Sequence, residues 1–200
     1  MSDYSHEVFV SYCRQQRWTL FVRDQFVPRL CQHLHGEIAR EDVFFDETSI
    51  GVGAAWEEDI REALCRSKVM IAFLSAAYFE SEWCLREMAI MLERANLING
   101  PGPGGHPLLI PVKIADGHHI PPTVKAIQYA DWIDYADPDL PPASERAFRF
   151  GCEVRQLVQS IASSLVSPPP WSHAWRHLDG TTVLSQLAPP VIEPKLPNFV

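Results

Sequence analysis

Lys68 to Ser75 reads KVMIAFLS, with six apolar residues in succession from Val69 to Leu74. A strand with one wet face alternates apolar and polar residues, so a run apolar at every position must be covered on both faces. The run is far too short to cross a bilayer. Similar stretches occur at His6–Ser11 (HEVFVS), Asp42–Asp46 (DVFFD) and Pro107–Ile114 (PLLIPVKI), and a weaker one at Tyr129–Ile133. Each reads as a strand.

Between these runs the apolar period changes from two to nearly four. Trp18, Val22, Phe26, Leu30 and Leu34 step along one helical face, with Pro28 predicting a kink or a late start. Trp56, Ile60 and Leu64 mark a second helix, Leu85, Met88 and Leu92 a third, and Phe150, Val154, Leu157, Ile161 and Leu165 a last one. Pro121–Gln128 is at best a short helix. Strand and helix in alternation predict a flavodoxin-like three-layer α/β domain: a five-stranded parallel sheet with helices on both faces. Ligands of such sheets bind past the carboxyl ends of the strands, where strand order reverses, which directs attention to the segments after Ser11 and Ser75.

Composition narrows the function classes. Of 200 residues, 46% are hydrophobic, and 17 Lys and Arg face 25 Asp and Glu for a formal net charge of -8. That balance opposes binding to a phosphate backbone, and no basic patch stands out, so no direct nucleic-acid partner is expected. Met1–His6 lacks the charged start and apolar core of a secretory signal, and no membrane contact is expected. The five cysteines (13, 31, 65, 84, 152) are odd in number and never paired as C-x-x-C, which suits reduced thiols and a cytoplasmic location.

Ser81–Glu87 (SEWCLRE) opens the third helix and sets Trp83 and Glu87 four residues apart on one face. An aromatic plane beside a carboxylate suits a flat heterocycle with a developing positive charge. On spacing alone, a core tryptophan and a solvated glutamate are the commoner reading, because such i,i+4 pairs are frequent on amphipathic helices.

Three motifs in register resemble those of the TIR (Toll/interleukin-1 receptor) domain family. Phe9–Tyr12 (FVSY) resembles its first motif, Phe44–Gly53 (FFDETSIGVG) its second strand and BB loop, and Ser81–Glu87 the motif carrying the glutamate of NAD-cleaving members. The resemblance covers about His6 to Leu165 and implies cleavage of NAD at the nicotinamide-ribose bond. By that likeness Glu87 is the catalytic carboxylate, and Trp83 is the aromatic residue one turn before it. Trp56 lies where relatives place an aromatic residue beneath the substrate, and Asp46 ends the second strand. Tyr12 and Arg14 lie in the loop lining the same cleft. One departure is Gly51-Val52-Gly53 in the BB loop, where many relatives have Pro-Gly.

The implied chemistry asks for little. An oxocarbenium-like state forms as the pyridinium leaves as a neutral base, so no general acid is required. Glu87 could hold ribose hydroxyls, stabilise the cation or form a covalent ester. NAD enters as substrate, with no resident cofactor and no metal expected. The product is ADP-ribose or a cyclic isomer. The resemblance further implies an effector of prokaryotic anti-phage immunity, activated by homotypic TIR-TIR association through the BB loop. The alternatives are a non-catalytic TIR scaffold and a nucleoside deoxyribosyltransferase-like enzyme, which also sets a glutamate against an N-glycosidic bond.

Other features carry less. Gly100–Gly105 (GPGPGG) has prolines where a phosphate cradle needs donors. His118 and His119, and His173 and His177, lack a third ligand. Ser11 and Ser75 end strands without a G-x-S-x-G setting and are expected to bond local backbone. Arg14 and Arg17 could meet the diphosphate of NAD or remain solvated. The TIR domain is placed at residues 1–166. Residues 167–200, rich in proline, read as a tail or linker that Trp171 and Trp175 fold back, leading to a further oligomerising or sensor module.

Overall fold

The computed structural model describes residues 3–38, 42–45, 54–99 and 107–188, with the backbone alone for 54–57. Five strands, β1 (His6–Tyr12), β2 (Val43–Phe45), β3 (Ser67–Leu74), β4 (Leu109–Lys113) and β5 (Ala130–Asp131), form one sheet in the order β2-β1-β3-β4-β5. Every pairing is parallel, with Val8 opposite Val69 and Ile71 opposite Ile110. This is the flavodoxin-like order, whose switch point lies between β1 and β3.

Alternation along the strands divides the core in two. Val8, Val10 and Tyr12 of β1, with Val69, Ile71 and Phe73 of β3, face α1 (Gln16–Leu20), α2 (Val27–Glu37) and α7 (Glu145–Val166). Phe9 of β1, with Met70, Ala72 and Leu74 of β3, faces the opposite layer. There lie α3 (Ala54–Cys65), α4 (Ala76–Glu80), α5 (Glu82–Asn99) and the short α6 (Pro122–Lys125). No helix among the described residues is long and apolar enough to cross a membrane.

Pro28 does shape its helix. A π-helical stretch, Phe21–Phe26, separates α1 from α2, and Pro28 sits in the first turn of α2. A proline ring clashes with the carbonyl four residues back, and the wider π turn absorbs that misfit while the apolar face stays on the sheet. Phe26 of the π stretch meets Phe73 of β3 and Trp132 just past β5, and Phe150 of α7 meets Trp132, with ring centroids 4.8 to 5.8 Å apart.

The segment read as a tail is packed through Leu187. Tyr4 donates its hydroxyl to the Pro169 carbonyl at 2.8 Å, and Trp171 donates its indole N–H to the Cys65 carbonyl at 3.1 Å. The buried Arg94 of α5 donates to the Ser67 carbonyl and to the Tyr4 hydroxyl, with its guanidinium 4.1 Å from the Trp175 ring centroid. Glu93 accepts from the Gly180 amide and the Thr182 hydroxyl, while Val183 of α8 (Thr181–Leu184) and Leu187 are buried in the α5 layer. Gly180 has φ 73, and a Cβ there would sit 2.6 Å from that of Ala89. Only glycine lets the strap lie this close to α5. Packing therefore continues past residue 166, and residues 189–200 lie outside the described residues.

Trp132 is 1% exposed, and its indole N–H has no partner among the described residues. Trp132→Ala is expected to lose roughly 3–5 kcal/mol of stability by cavity formation. Trp132→Phe, which also removes the orphaned donor, should lose much less. Urea denaturation of the two variants checks this order.

Candidate active site

Two serine caps set up the site. Ser75, at the end of β3, caps α4 by accepting from the Tyr78 amide at 3.2 Å. Ser81 then accepts from the Cys84 amide at 3.4 Å at the start of α5. An Ncap hydroxyl satisfies a helix donor that would otherwise be orphaned. The short α4 thus lies between β3 and the Ser81–Glu87 motif, which opens α5. Glu87 consequently sits in the second turn of α5.

Along β1, Ser11 points to the same side as Phe9, toward α4 and α5. It therefore does not bond local backbone as expected. Its hydroxyl donates to Glu87 Oε2 at 2.5 Å and lies 2.9 Å from the Tyr78 hydroxyl. The dense surroundings of the Glu87 carboxylate raise its pKa to about 7, against the opposing effects of the Ser11 hydrogen bond and the Arg14 charge. Desolvation is the leading cause and disfavours the ionised form. The neighbouring Cys84 thiol and Tyr78 phenol are also pushed well up by burial.

Trp83 and Glu87 do share a face. Both line a cavity of about 180 Å³ between α3 and α5, floored by Ile60, Leu64 and Ile90 and rimmed by Glu58, Arg61, Arg86 and Asp179. Arg86 lies 5.7 Å from the Trp83 ring centroid and is held by Glu82, and Arg61 is held by Glu58. Such a volume holds a single ring rather than a drug-sized ligand. A half-buried indole and a carboxylate on its wall suit a flat cationic ring.

The other residues singled out scatter. Arg14 is exposed just past β1, close enough to influence Glu87. Tyr12 is buried in the core layer on the opposite face of the sheet, because it neighbours Ser11 on a strand of period two. Arg17 donates to the Ala136 carbonyl at 3.4 Å, on that same far side. Asp46, the Gly51-Val52-Gly53 loop and Gly100–Gly105 lie outside the described residues, as does the side chain of Trp56 on α3. His118 faces Asp116 at 3.3 Å, and no group of three potential metal ligands occurs among the described residues.

Sequence reading missed Tyr78 and Asp179. Tyr78 carries no motif, and only the capping signal of Ser75 announces the helix that places it. Asp179 reaches the cavity from the strap, and nothing in a Pro-rich sequence marks it.

A family model described as the TIR domain matches residues 8–145. The chain belongs to the TIR domain family. A probable 2′ cyclic ADP-D-ribose synthase of Brachypodium distachyon is 26% identical over 136 residues, covering 64% of this chain and 61% of that protein. The chain thus spans about three fifths of the length of that TIR relative. Among solved structures, the TIR domains of the activated Roq1 resistosome that directly recognises the pathogen effector XopQ are similar at 20% identity. That comparison has a TM-score of 0.39, covering 92% of this chain and 86% of the other.

Glu87 makes a pH-dependent demand on this TIR domain. Its carboxyl binds a proton more tightly folded, at a pKa of about 7, than at the ordinary 4.5. Below pH 4.5 both states are protonated and no penalty exists. As pH rises toward 7 the unfolded chain has already ionised, so stability is lost progressively, by at most roughly 3 kcal/mol above pH 7. Glu87→Gln should therefore match the parent at pH 4.5 and exceed it in stability at pH 8, as read by denaturation midpoints.

Proposed function

We propose that this TIR domain cleaves NAD at the nicotinamide-ribose bond, with Glu87 as the catalytic carboxylate. The observation that carries the reading is the half-buried, proton-affine Glu87 beside Trp83 on the wall of a ring-sized cavity. A TIR relative named as a probable cyclic ADP-ribose synthase supports it.

In this reading the pyridinium ring stacks on Trp83, leaving the ribose C1′ against Glu87. The bond from C1′ to the ring nitrogen breaks, its electron pair stays with nicotinamide, and the positive charge moves to the ribose. Ionised Glu87 stabilises that cation in surroundings where a charge counts for more than in water. Attack by water gives ADP-ribose and a proton, and attack by a hydroxyl of the adenosine ribose gives a cyclic product. Arg14, exposed past the end of β1, is assigned to the diphosphate in this reading. Asp46 and Trp56 are assigned to the same substrate by family likeness. The reaction asks for no resident cofactor.

Glu87→Gln keeps the shape and removes the charge, so NAD cleavage should fall at least about a hundredfold. In the parent, activity should rise with pH through about 7, as the carboxyl ionises. Incubation with NAD across that range, with chromatographic identification of nicotinamide and the sugar product, checks both. Full activity in a folded Glu87→Gln protein overturns the assignment.

The same reading makes the chain an effector of anti-phage defence in the cytoplasm, silent until its copies associate. A cavity of about 180 Å³ encloses one ring, so the rest of a dinucleotide must be covered by something beyond it. The BB loop of a second copy is the proposed cover. Specific activity should then rise with protein concentration, and fusion to an unrelated oligomer should restore it in dilute solution. Constant specific activity from nanomolar to high micromolar monomer overturns the assembly requirement.

A further inference from the structure

We propose that Ser11 and Tyr78 are positioning residues for Glu87, forming a one-way hydroxyl relay from Tyr78 through Ser11 to the carboxylate that holds it in place and favours its ionised form. The proposal rests on the NAD-cleavage reading for its functional meaning, and on geometry for its existence.

Three elements contribute one group each. β1 supplies Ser11, 2% exposed; α4 supplies Tyr78, fully buried; α5 supplies Glu87. The Ser11 hydroxyl lies 2.5 Å from Glu87 Oε2 and 2.9 Å from the Tyr78 hydroxyl. Serine has one proton to give and can accept others. An ionised carboxylate only accepts, so Ser11 must donate to Glu87, and the remaining contact runs from Tyr78 to Ser11. Tyr78 keeps its proton throughout, since burial pushes its phenol well above the ordinary 10.

The direction matters because a hydrogen bond to a carboxylate is about twice as strong as one to a neutral acid. Each hydroxyl in a chain also polarises the next. The relay therefore opposes the desolvation that keeps Glu87 protonated, and Tyr78 acts only through Ser11. It also fixes one carboxylate oxygen, leaving Oε1 as the oxygen available to substrate.

Among the described residues, the other groups near this carboxylate are few. Arg14 and Cys13 lie past β1 and Cys84 lies on α5. Glu58 and Arg61 of α3, Arg86 of α5 and Asp179 of the strap line the shared cavity. Among them, the Arg14 charge is the one that adds to the relay in lowering the Glu87 pKa.

The test has two readouts. The first is the pH dependence of denaturation for each variant, compared with the same variant carrying Glu87→Gln, which reports the Glu87 titration without any substrate. The second is the pH profile of NAD cleavage, with kcat separated from KM. Ser11→Ala should move the Glu87 midpoint upward by about one unit, and Tyr78→Phe should move it upward by less. Adding Tyr78→Phe to Ser11→Ala should change nothing further, because the relay is already cut. Ser11→Cys, which keeps the volume with a weaker donor, should fall between serine and alanine and guards against a packing artefact. In the activity profile the loss should concentrate in kcat at pH 6 and shrink toward pH 9. An unmoved midpoint in a folded Ser11→Ala protein overturns the relay, as does a Tyr78→Phe shift that persists in the Ser11→Ala background. Absence of NAD turnover in the parent removes the NAD reading but leaves the denaturation test of the relay intact.

Discussion

β1 and β3 are buried on both faces, and the period of two along them decides what the site can contain. With Val8, Val10 and Tyr12 committed to the α2 and α7 layer, Phe9 and Ser11 have to face α4 and α5. That puts a serine hydroxyl among apolar side chains, where it needs partners, and Glu87 and Tyr78 provide them. A one-residue slip would exchange Ser11 for Tyr12 and leave the carboxylate with a ring against it instead of a donor. The strand register is thus a condition of the site's electrostatics as well as of the core.

Holding Glu87 in this position works against folding at neutral pH, since a carboxyl with a pKa of about 7 is ionised there only by opposing its own burial. The surrounding structure offsets that cost with features remote from it. The Phe26, Phe73, Trp132 and Phe150 cluster lies across the sheet, and Arg94, stacked on Trp175, ties α5 to the strap. Buried ionisable groups that are costly to keep concentrate where chemistry is done. Arg94 shows that this association has exceptions. It is more deeply buried than Glu87, yet its donors go to the Ser67 carbonyl and the Tyr4 hydroxyl, so its part is to join segments of the chain.

The architecture was legible because its signals are local and repeated. All five apolar runs became strands, and the long apolar steps from Phe150 to Leu165 became α7. Pro28 announced a distortion, but the sequence alone could not distinguish a kink from the π turn that precedes it. Within the site, Trp83 and Glu87 were legible from their spacing, since neighbours on a helix face are fixed by its pitch. Ser11 was noticed for the wrong partner, because its role depends on a residue 76 positions away. Tyr12 shows the limit of motif reading: adjacent to Ser11 in the chain, it belongs to the opposite face. Trp171 and Trp175 signalled that the segment past α7 folds back, but its contacts with Arg94, Glu93 and Ala89, like those of Tyr78, are specified by tertiary structure.

Asp179 brings these strands of argument to one place. The TIR family model ends at residue 145, the first residue of α7, well before the strap that follows α7 (residues 167–188), yet the cavity beside Glu87 takes part of its wall from residue 179. The carboxylate, its serine and its tyrosine all come from within the shared family region. The rim that closes on them is completed by a segment outside it, held by Gly180 against Ala89 and by Glu93. The mouth therefore draws on both parts of the sequence, with Glu58, Arg61 and Arg86 inside the family region and Asp179 outside it. Because Gly180 packs against the same helix that carries Glu87, Asp179 is held at the rim beside Arg86 of that helix and Glu58 and Arg61 of α3.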